Sequence, residues 1–239
     1  MILGSKIYKS LLLGLTLVTG VAIANPQDTI IAWDIDQVLL MDREENFGAY
    51  HQLHPDFYAA IKQVKTDYNL YDAFPIMQKL LEVYPQYADQ VKEYIPLFTS
   101  APQILGTIEL VKKLHALGYS MLVASNMTST TYQALVENGT LPNCYFSKEI
   151  FFTATNELNA KHDETGKLTG YCQKPNTEYF EHLKTYIANK FPDKQFKRII
   201  FIDDKLENVQ GAAQVAGIEA IQFINPAQLA TELQAKGLW

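Results

Sequence analysis

Ile31-Ala-Trp-Asp-Ile-Asp-Gln-Val-Leu39 is the stretch on which the reading of this chain turns. Together with Thr29 and Ile30, its first half is a near-continuous apolar run without polar alternation, the pattern of a strand buried on both faces of a parallel sheet. The run then delivers two aspartates, Asp34 and Asp36, at the strand's carboxyl end. That edge is where open parallel sheets bind their ligands.

Three later runs have the same character: Tyr119-Ser-Met-Leu-Val-Ala124, Arg198-Ile-Ile-Phe-Ile202 and Ala220-Ile-Gln-Phe-Ile224. Between them, Thr107–Leu117 spaces its apolar residues at three and four and stops at Gly118, a helix C-terminal signal. Similar helices are predicted near 129–138, 176–190 and 206–216. The alternation of buried strands with amphipathic helices predicts an α/β fold, a central parallel sheet with helices on both faces.

Residues 44–100 break that alternation. They carry helix-period patterns at Phe57–Val64 and Ile76–Val83 and hold seven of the fourteen tyrosines. They are predicted to form a small helical insertion over the sheet's carboxyl edge, with most of the tyrosines serving as its core. His51 and His54, beside Pro55, read as an exposed pair. Thr153–Gln173, punctuated by asparagines and glycines, reads as a hairpin or long loop.

With 239 residues, 48% of them hydrophobic, the chain can bury a full core, and a net charge of -6 without a Lys/Arg cluster argues against nucleic acid or an anionic membrane as its main partner. A small soluble ligand is expected instead. Lys6 and Lys9 precede an uncharged run, Leu11–Ala24, that ends in Ala22-Ile-Ala24. This is the order of a secretory leader. Cleavage after Ala24 is expected, giving a periplasmic or secreted protein. The alternative is an uncleaved anchor, although the run is shorter than the roughly 20 residues a spanning helix needs. Export leaves both pairing and free thiols open for Cys144 and Cys172.

Reactive groups gather at the predicted strand ends: Asp34 and Asp36, then Ser125 and Asn126, then Lys174, then Asp203 and Asp204. Singly, each has an ordinary explanation as a cap, a turn former or a surface charge. If the strands are neighbours, four carboxylates meet with one lysine, and they repel unless a cation joins them. An oxygen-only set without histidine or cysteine points to a hard ion, and Mg2+ sharing its coordination with a phosphoryl group and water fits best.

The motifs Asp34-Ile-Asp-Gln-Val38, Leu122-Val-Ala-Ser-Asn126, Lys174-Pro-Asn-Thr177 and Phe201-Ile-Asp-Asp-Lys-Leu-Glu-Asn208, followed by Gly211-Ala-Ala213 and Ala216-Gly217, resemble those of the haloacid dehalogenase-like (HAD) hydrolases. The resemblance implies a Rossmannoid three-layer sandwich from residues 25–43 and 101–239, with a helical cap at 44–100, after a leader at 1–24. It also implies an aspartyl-phosphate phosphohydrolase acting on a small phosphorylated metabolite. Asp34 is then the nucleophile and Asp36 the acid and base. Ser125, Asn126 and Lys174 hold phosphoryl oxygens. Asp34, Asp203 and Asp204 hold Mg2+, together with the main-chain carbonyl of Asp36. Dehalogenases of the same superfamily lack an acid at the position of Asp36. Gln37 and Trp33 depart from the commoner residues at their positions. A catalytically quiet binding protein and a phosphotransferase are the rival readings.

Overall fold

The computed structural model of the chain describes residues 24–146 and 149–239. The leader assigned to residues 1–24 lies outside them except for Ala24. That residue is buried, donates its N–H to the Gly237 carbonyl at 2.7 Å and accepts from the Tyr119 hydroxyl at 3.0 Å. No helix among the described residues is long and apolar enough to cross a membrane.

Among the described residues, a five-stranded parallel sheet forms the centre. Its strands are β1 (Thr29–Trp33), β2 (Ser120–Ser125), β3 (Phe151–Thr153), β6 (Arg198–Asp203) and β7 (Ile218–Gln222), in the order β3-β2-β1-β6-β7. A separate antiparallel pair, β4 (Ala160–His162) and β5 (Leu168–Tyr171), is the hairpin within Thr153–Gln173.

The period of two along the central strands divides the core into two layers. Ile31, Trp33, Val123, Ile200 and Ile202 face one layer, which is closed by α5 (Leu105–Ala116), α6 (Ser129–Glu137) and α9 (Pro226–Ala235). Ile30, Ala32, Leu122, Ala124, Ile199 and Phe201 face the other, under α7 (Thr177–Lys190) and α8 (Leu206–Ala213). With both faces covered, β1 is buried along its whole length. This explains why its sequence shows no alternation.

One strand expectation is corrected by the structure, and one strand is additional to those expected. The last strand lies two residues earlier than Ala220–Ile224, because its ladder with β6 starts at Ile199↔Ile218 and Asn225 already caps α9, accepting from the Gln228 N–H at 2.9 Å. Ile224 is left 69% exposed. The edge strand β3 was not foreseen; three residues are too few to carry a period, and only pairing to β2 defines them.

Between β1 and α5 the chain forms α1 (Glu44–Leu53), α2 (Pro55–Asp67), α3 (Ala73–Val83) and α4 (Ala88–Thr99). These helices have a core of their own, where Phe57, Ala60 and Val64 of α2 meet Ile76, Met77 and Leu80 of α3. The spacing of three and four puts each set on a single face. Tyr50, Tyr84, Tyr87 and Tyr94 pack against this core. His51 and His54 are not the exposed pair expected. His51 stacks on Tyr58 at 3.8 Å and shares a 2.8 Å hydrogen bond with the Tyr94 hydroxyl, and His54 packs on Tyr50 at 4.3 Å. The helices are tied to the rest of the chain through Asp72, which accepts from Thr130, and through Asn69, which donates to the Leu168 carbonyl at 2.8 Å.

Candidate active site

The strand order reverses at β1: the chain moves from β1 through β2 to β3, then returns to place β6 on the other side of β1. A crevice opens beyond the carboxyl ends of strands flanking such a point. Trp33 pairs with Ile202, and the Asp34 N–H donates to the Ile202 carbonyl at 2.9 Å, so Asp34 and Asp203 leave adjacent strands side by side. Ser125 ends β2 on the other flank of β1.

Lys174 stands at the centre of this group. Its ammonium donates to Asp203 Oδ2 at 2.6 Å, Asp34 Oδ1 at 2.9 Å and the Ala124 carbonyl at 3.2 Å. Three N–H groups thus meet three acceptors. Burial opposes its charge, but Asp34 and Asp203 outweigh burial and hold the ammonium above the usual lysine value. Asp203 Oδ1 in turn accepts from the Lys205 N–H and the Asn208 amide, both at 2.9 Å.

Asp34, Asp203 and Asp204 each offer an oxygen within 4.8 Å of the others. Burial foremost pushes the Asp34 carboxyl up to about 7, with Asp203 adding to the rise and Lys174 opposing it. Burial and then Asp203 also raise Asp204. Three carboxylates against one ammonium leave negative charge uncompensated in a half-dry pocket. The donor set and its charge fit a hard divalent cation such as Mg2+.

Other expected residues are placed differently. The Asp36 carboxylate stands apart from the three metal-facing ones and is held by Arg43, whose Nε donates to Oδ1 at 2.8 Å and whose Nη2 donates to Oδ2 at 3.0 Å. Only its main chain remains for a metal. Asn126 lines the cavity, and its side chain is bonded to the Lys174 main chain. Its amide donates to the Lys174 carbonyl at 3.0 Å and its oxygen accepts from the Lys174 N–H at 2.9 Å, so it braces Lys174. Ser125 lines the cavity and accepts from the Met127 N–H at 3.3 Å. Gln37 also lines the cavity, with φ +60° in the left-handed region that favours glycine. Trp33 lies wholly within the core. Both cysteines are free thiols, Cys144 exposed and Cys172 buried.

Arg43, Asn208 and Tyr179 were missed as contributors. Tyr179, fully buried beneath the carboxylates, donates to the Phe152 carbonyl at 3.2 Å. Arg43 has no signal beyond being a lone arginine seven residues after Asp36. Its second contact, Nη1 to the Phe98 carbonyl at 2.5 Å, joins the two ends of the helical insertion.

The cavity over these groups has a volume of about 420 Å³. Asp34, Asp36, Ser125, Lys174 and Asp204 lie on the core side, with Phe47, Ala73 and Phe98 on the side of the insertion. Gly211 of α8 keeps the Lys174 loop close, since a Cβ there would collide with the Pro175 carbonyl and lie 3.3 Å from the Phe180 ring. Gly211→Ala should therefore cost about 1–3 kcal/mol, read as a lower urea midpoint. An unchanged midpoint would show that α8 has room to move.

The fold is that of the haloacid dehalogenase-like hydrolases. The chain superposes on a protein described as the HAD-hydrolase YfnB from Bacillus subtilis, bound to magnesium, with a TM-score of 0.50 and 17% identity, covering 86% of this chain and 98% of that one. It is also similar to a hydrolase from Streptococcus pneumoniae TIGR4, with a TM-score of 0.47, 17% identity and coverage of 87% and 98%. A dehalogenase solved with an intermediate complex gives a TM-score of 0.49, 13% identity and coverage of 84% and 87%. No protein-family profile and no curated protein matches the chain.

Proposed function

We propose that this chain is a Mg2+-dependent phosphohydrolase that works through an aspartyl phosphate on Asp34. One observation carries the reading: a buried aspartate in contact with a buried lysine sits in a three-carboxylate cluster, and a second aspartate lines the same cavity. Asp34, Asp203 and Asp204 would hold the metal, which supplies positive charge to a bound phosphoryl group when present.

Each step follows from the side chains. An Asp34 oxygen attacks phosphorus; as a carboxylate it needs no base to activate it. The bond from phosphorus to the ester oxygen breaks, and Asp36, which enters the cycle as the protonated acid, passes its proton to that oxygen and is left a carboxylate. Water then attacks the aspartyl phosphate, Asp36 takes its proton, and phosphate leaves as Asp34 is restored. Lys174 and Ser125 face the phosphoryl oxygens. Displacing halide needs no proton on the leaving group, so Asp36 favours phosphoryl transfer over dehalogenation.

A panel of phosphomonoesters assayed with Mg2+ and with chelator tests the reading: hydrolysis should require the metal. Turnover undiminished in chelator would sink it, and tight Mg2+ binding without turnover of any ester would favour a binding protein. Export, with the first residue at Asn25, is part of the same proposal and is read from the mass of the protein taken from its source.

Arg43 lines the cavity and reaches the chemistry through Asp36, whose carboxylate it orients. Arg43→Met should lower kcat about tenfold to a hundredfold on alkyl phosphates, which need a proton on the departing oxygen. It should lower kcat much less on nitrophenyl phosphates, which do not need one. Equal losses on both would mean that Arg43 merely holds the fold, and Arg43→Lys should restore part of the alkyl rate.

A further inference from the structure

A second cavity, of about 400 Å³, lies within the helical insertion, and the chemistry above makes no use of it. It shares three wall residues, Phe47, Ala73 and Phe98, with the catalytic cavity. Two of these are rings, with centroids 6.5 Å apart and planes 21° from parallel, and the third contributes only a methyl group. The same three side chains therefore bound the space above Asp34 and the space beyond it.

The second cavity is apolar inside, through Ile61, Ile76 and Met77, and its remaining wall is aromatic. Its rim is cationic. Lys62 and Lys65, three residues apart on α2, share one face of that helix and are exposed. Among the described residues no carboxylate lines this cavity. The two ammonium groups have ring faces as neighbours instead, Tyr58 at 4.0 Å from Lys62 and Tyr71 at 5.9 Å from Lys65. An apolar chamber with uncompensated positive charge at its mouth suits an amphipathic anion. A small polar ester such as glycerol phosphate would fill only the catalytic cavity and leave the second one unused.

We propose that the second cavity receives the leaving group, and that the substrates are phosphomonoesters of an alcohol with an extended apolar body ending in an anionic group. The phosphoryl group would sit at Asp34 and the distal anion at Lys62 and Lys65. The inference rests on the phosphohydrolase reading. Each methylene moved into the cavity contributes up to about fourfold in affinity. The distal charge adds a part that salt screens.

Two series test it, one blind to turnover. Methylphosphonate, octylphosphonate and 8-phosphonooctanoate are titrated by calorimetry into the full protein with Mg2+. In parallel, kcat/KM is measured for glycerol 2-phosphate, octyl phosphate and the octyl phosphate bearing a terminal carboxylate. Octylphosphonate should bind at least about thirtyfold more tightly than methylphosphonate, and the carboxylate should add severalfold more, with the same order in kcat/KM. The Lys62→Met, Lys65→Met double variant should bring the carboxylated-to-plain ratio close to one, as should added salt. Ala73→Leu should reduce the chain-length gain; the double variant, at exposed positions, keeps the test decisive if Ala73→Leu fails to fold.

Binding and kcat/KM indifferent to both chain length and terminal charge would overturn the proposal, even with brisk hydrolysis of small esters. A chain-length gain without a carboxylate gain would overturn its anionic half. Selective phosphonate binding with no hydrolysis of any ester would support the ligand class while sinking the hydrolase reading.

Discussion

Asp34→Asn should lower kcat on any phosphomonoester by at least about a thousandfold while leaving the protein folded. The amide has nearly the shape of the carboxylate and can still accept from Lys174 Nζ, which lies 2.9 Å from Asp34 Oδ1. It cannot attack phosphorus. Its effect on stability should run the other way. Burial already pushes the Asp34 carboxyl up to about 7, and Asp203 adds to that rise. Removing one of the crowded charges relieves repulsion, so without metal the urea midpoint should equal or exceed that of the wild type. The two measurements separate chemistry from folding. A variant that turns over at a rate near the wild type would end the nucleophile assignment, whatever its stability.

Lys174→Met should have the largest effect on stability, about 3–5 kcal/mol, because it leaves the buried carboxylates of Asp34 and Asp203 without the buried cation that contacts them. The lysine side chain is 1% exposed and contacts the carboxylates of Asp34 and Asp203 directly. Methionine fills much of the same volume, so the loss reports charge more than packing. Urea unfolding in chelator should show a clear drop in midpoint. Added Mg2+ should recover part of it, since a cation bound only by the folded protein stabilises it by mass action. A midpoint unchanged in chelator would mean that the carboxylates tolerate one another unaided, and the charge argument for the metal would fall with it. On the proposed mechanism turnover should be lost as well, because Lys174 contacts Asp34 and lines the cavity above it.

Much of this site was legible in the linear chain, for a reason visible in the strands. Ile30–Trp33 and Ile199–Ile202 are buried on both sides, so their apolar runs are unbroken and the polar residues that end them stand out. Asp34, Asp36, Asp203 and Asp204 stand out in this way, and the structure brings Asp34, Asp203 and Asp204 together. The helices beside them were legible through Gly118, at φ +86°, and Gly139, at φ +81°, which end α5 and α6. Short or locally ambiguous pieces were not. Strand β3 exists only through its pairing with β2, and the last strand takes its limits from the ladder with β6 and from the Asn225 cap. The histidines of the insertion looked exposed because their ring partners, Tyr58 and Tyr94 for His51, are distant in the chain or on the far side of a turn.

The sequence by itself determined the class of fold, the ends of the strands where charged side chains gather, and the residue types that gather there, because burial on two faces and the demands of helix ends are written in local pattern. Tertiary structure alone decided what each side chain contacts once there. It placed Arg43 on Asp36 across the mouth of the insertion, bonded the Asn126 side chain to the Lys174 main chain, and set a cation-rimmed cavity beside the one over Asp34. These arrangements depend on distances between segments far apart in the chain. Charge, hydrogen bonding and packing act through such distances, and residue order does not record them.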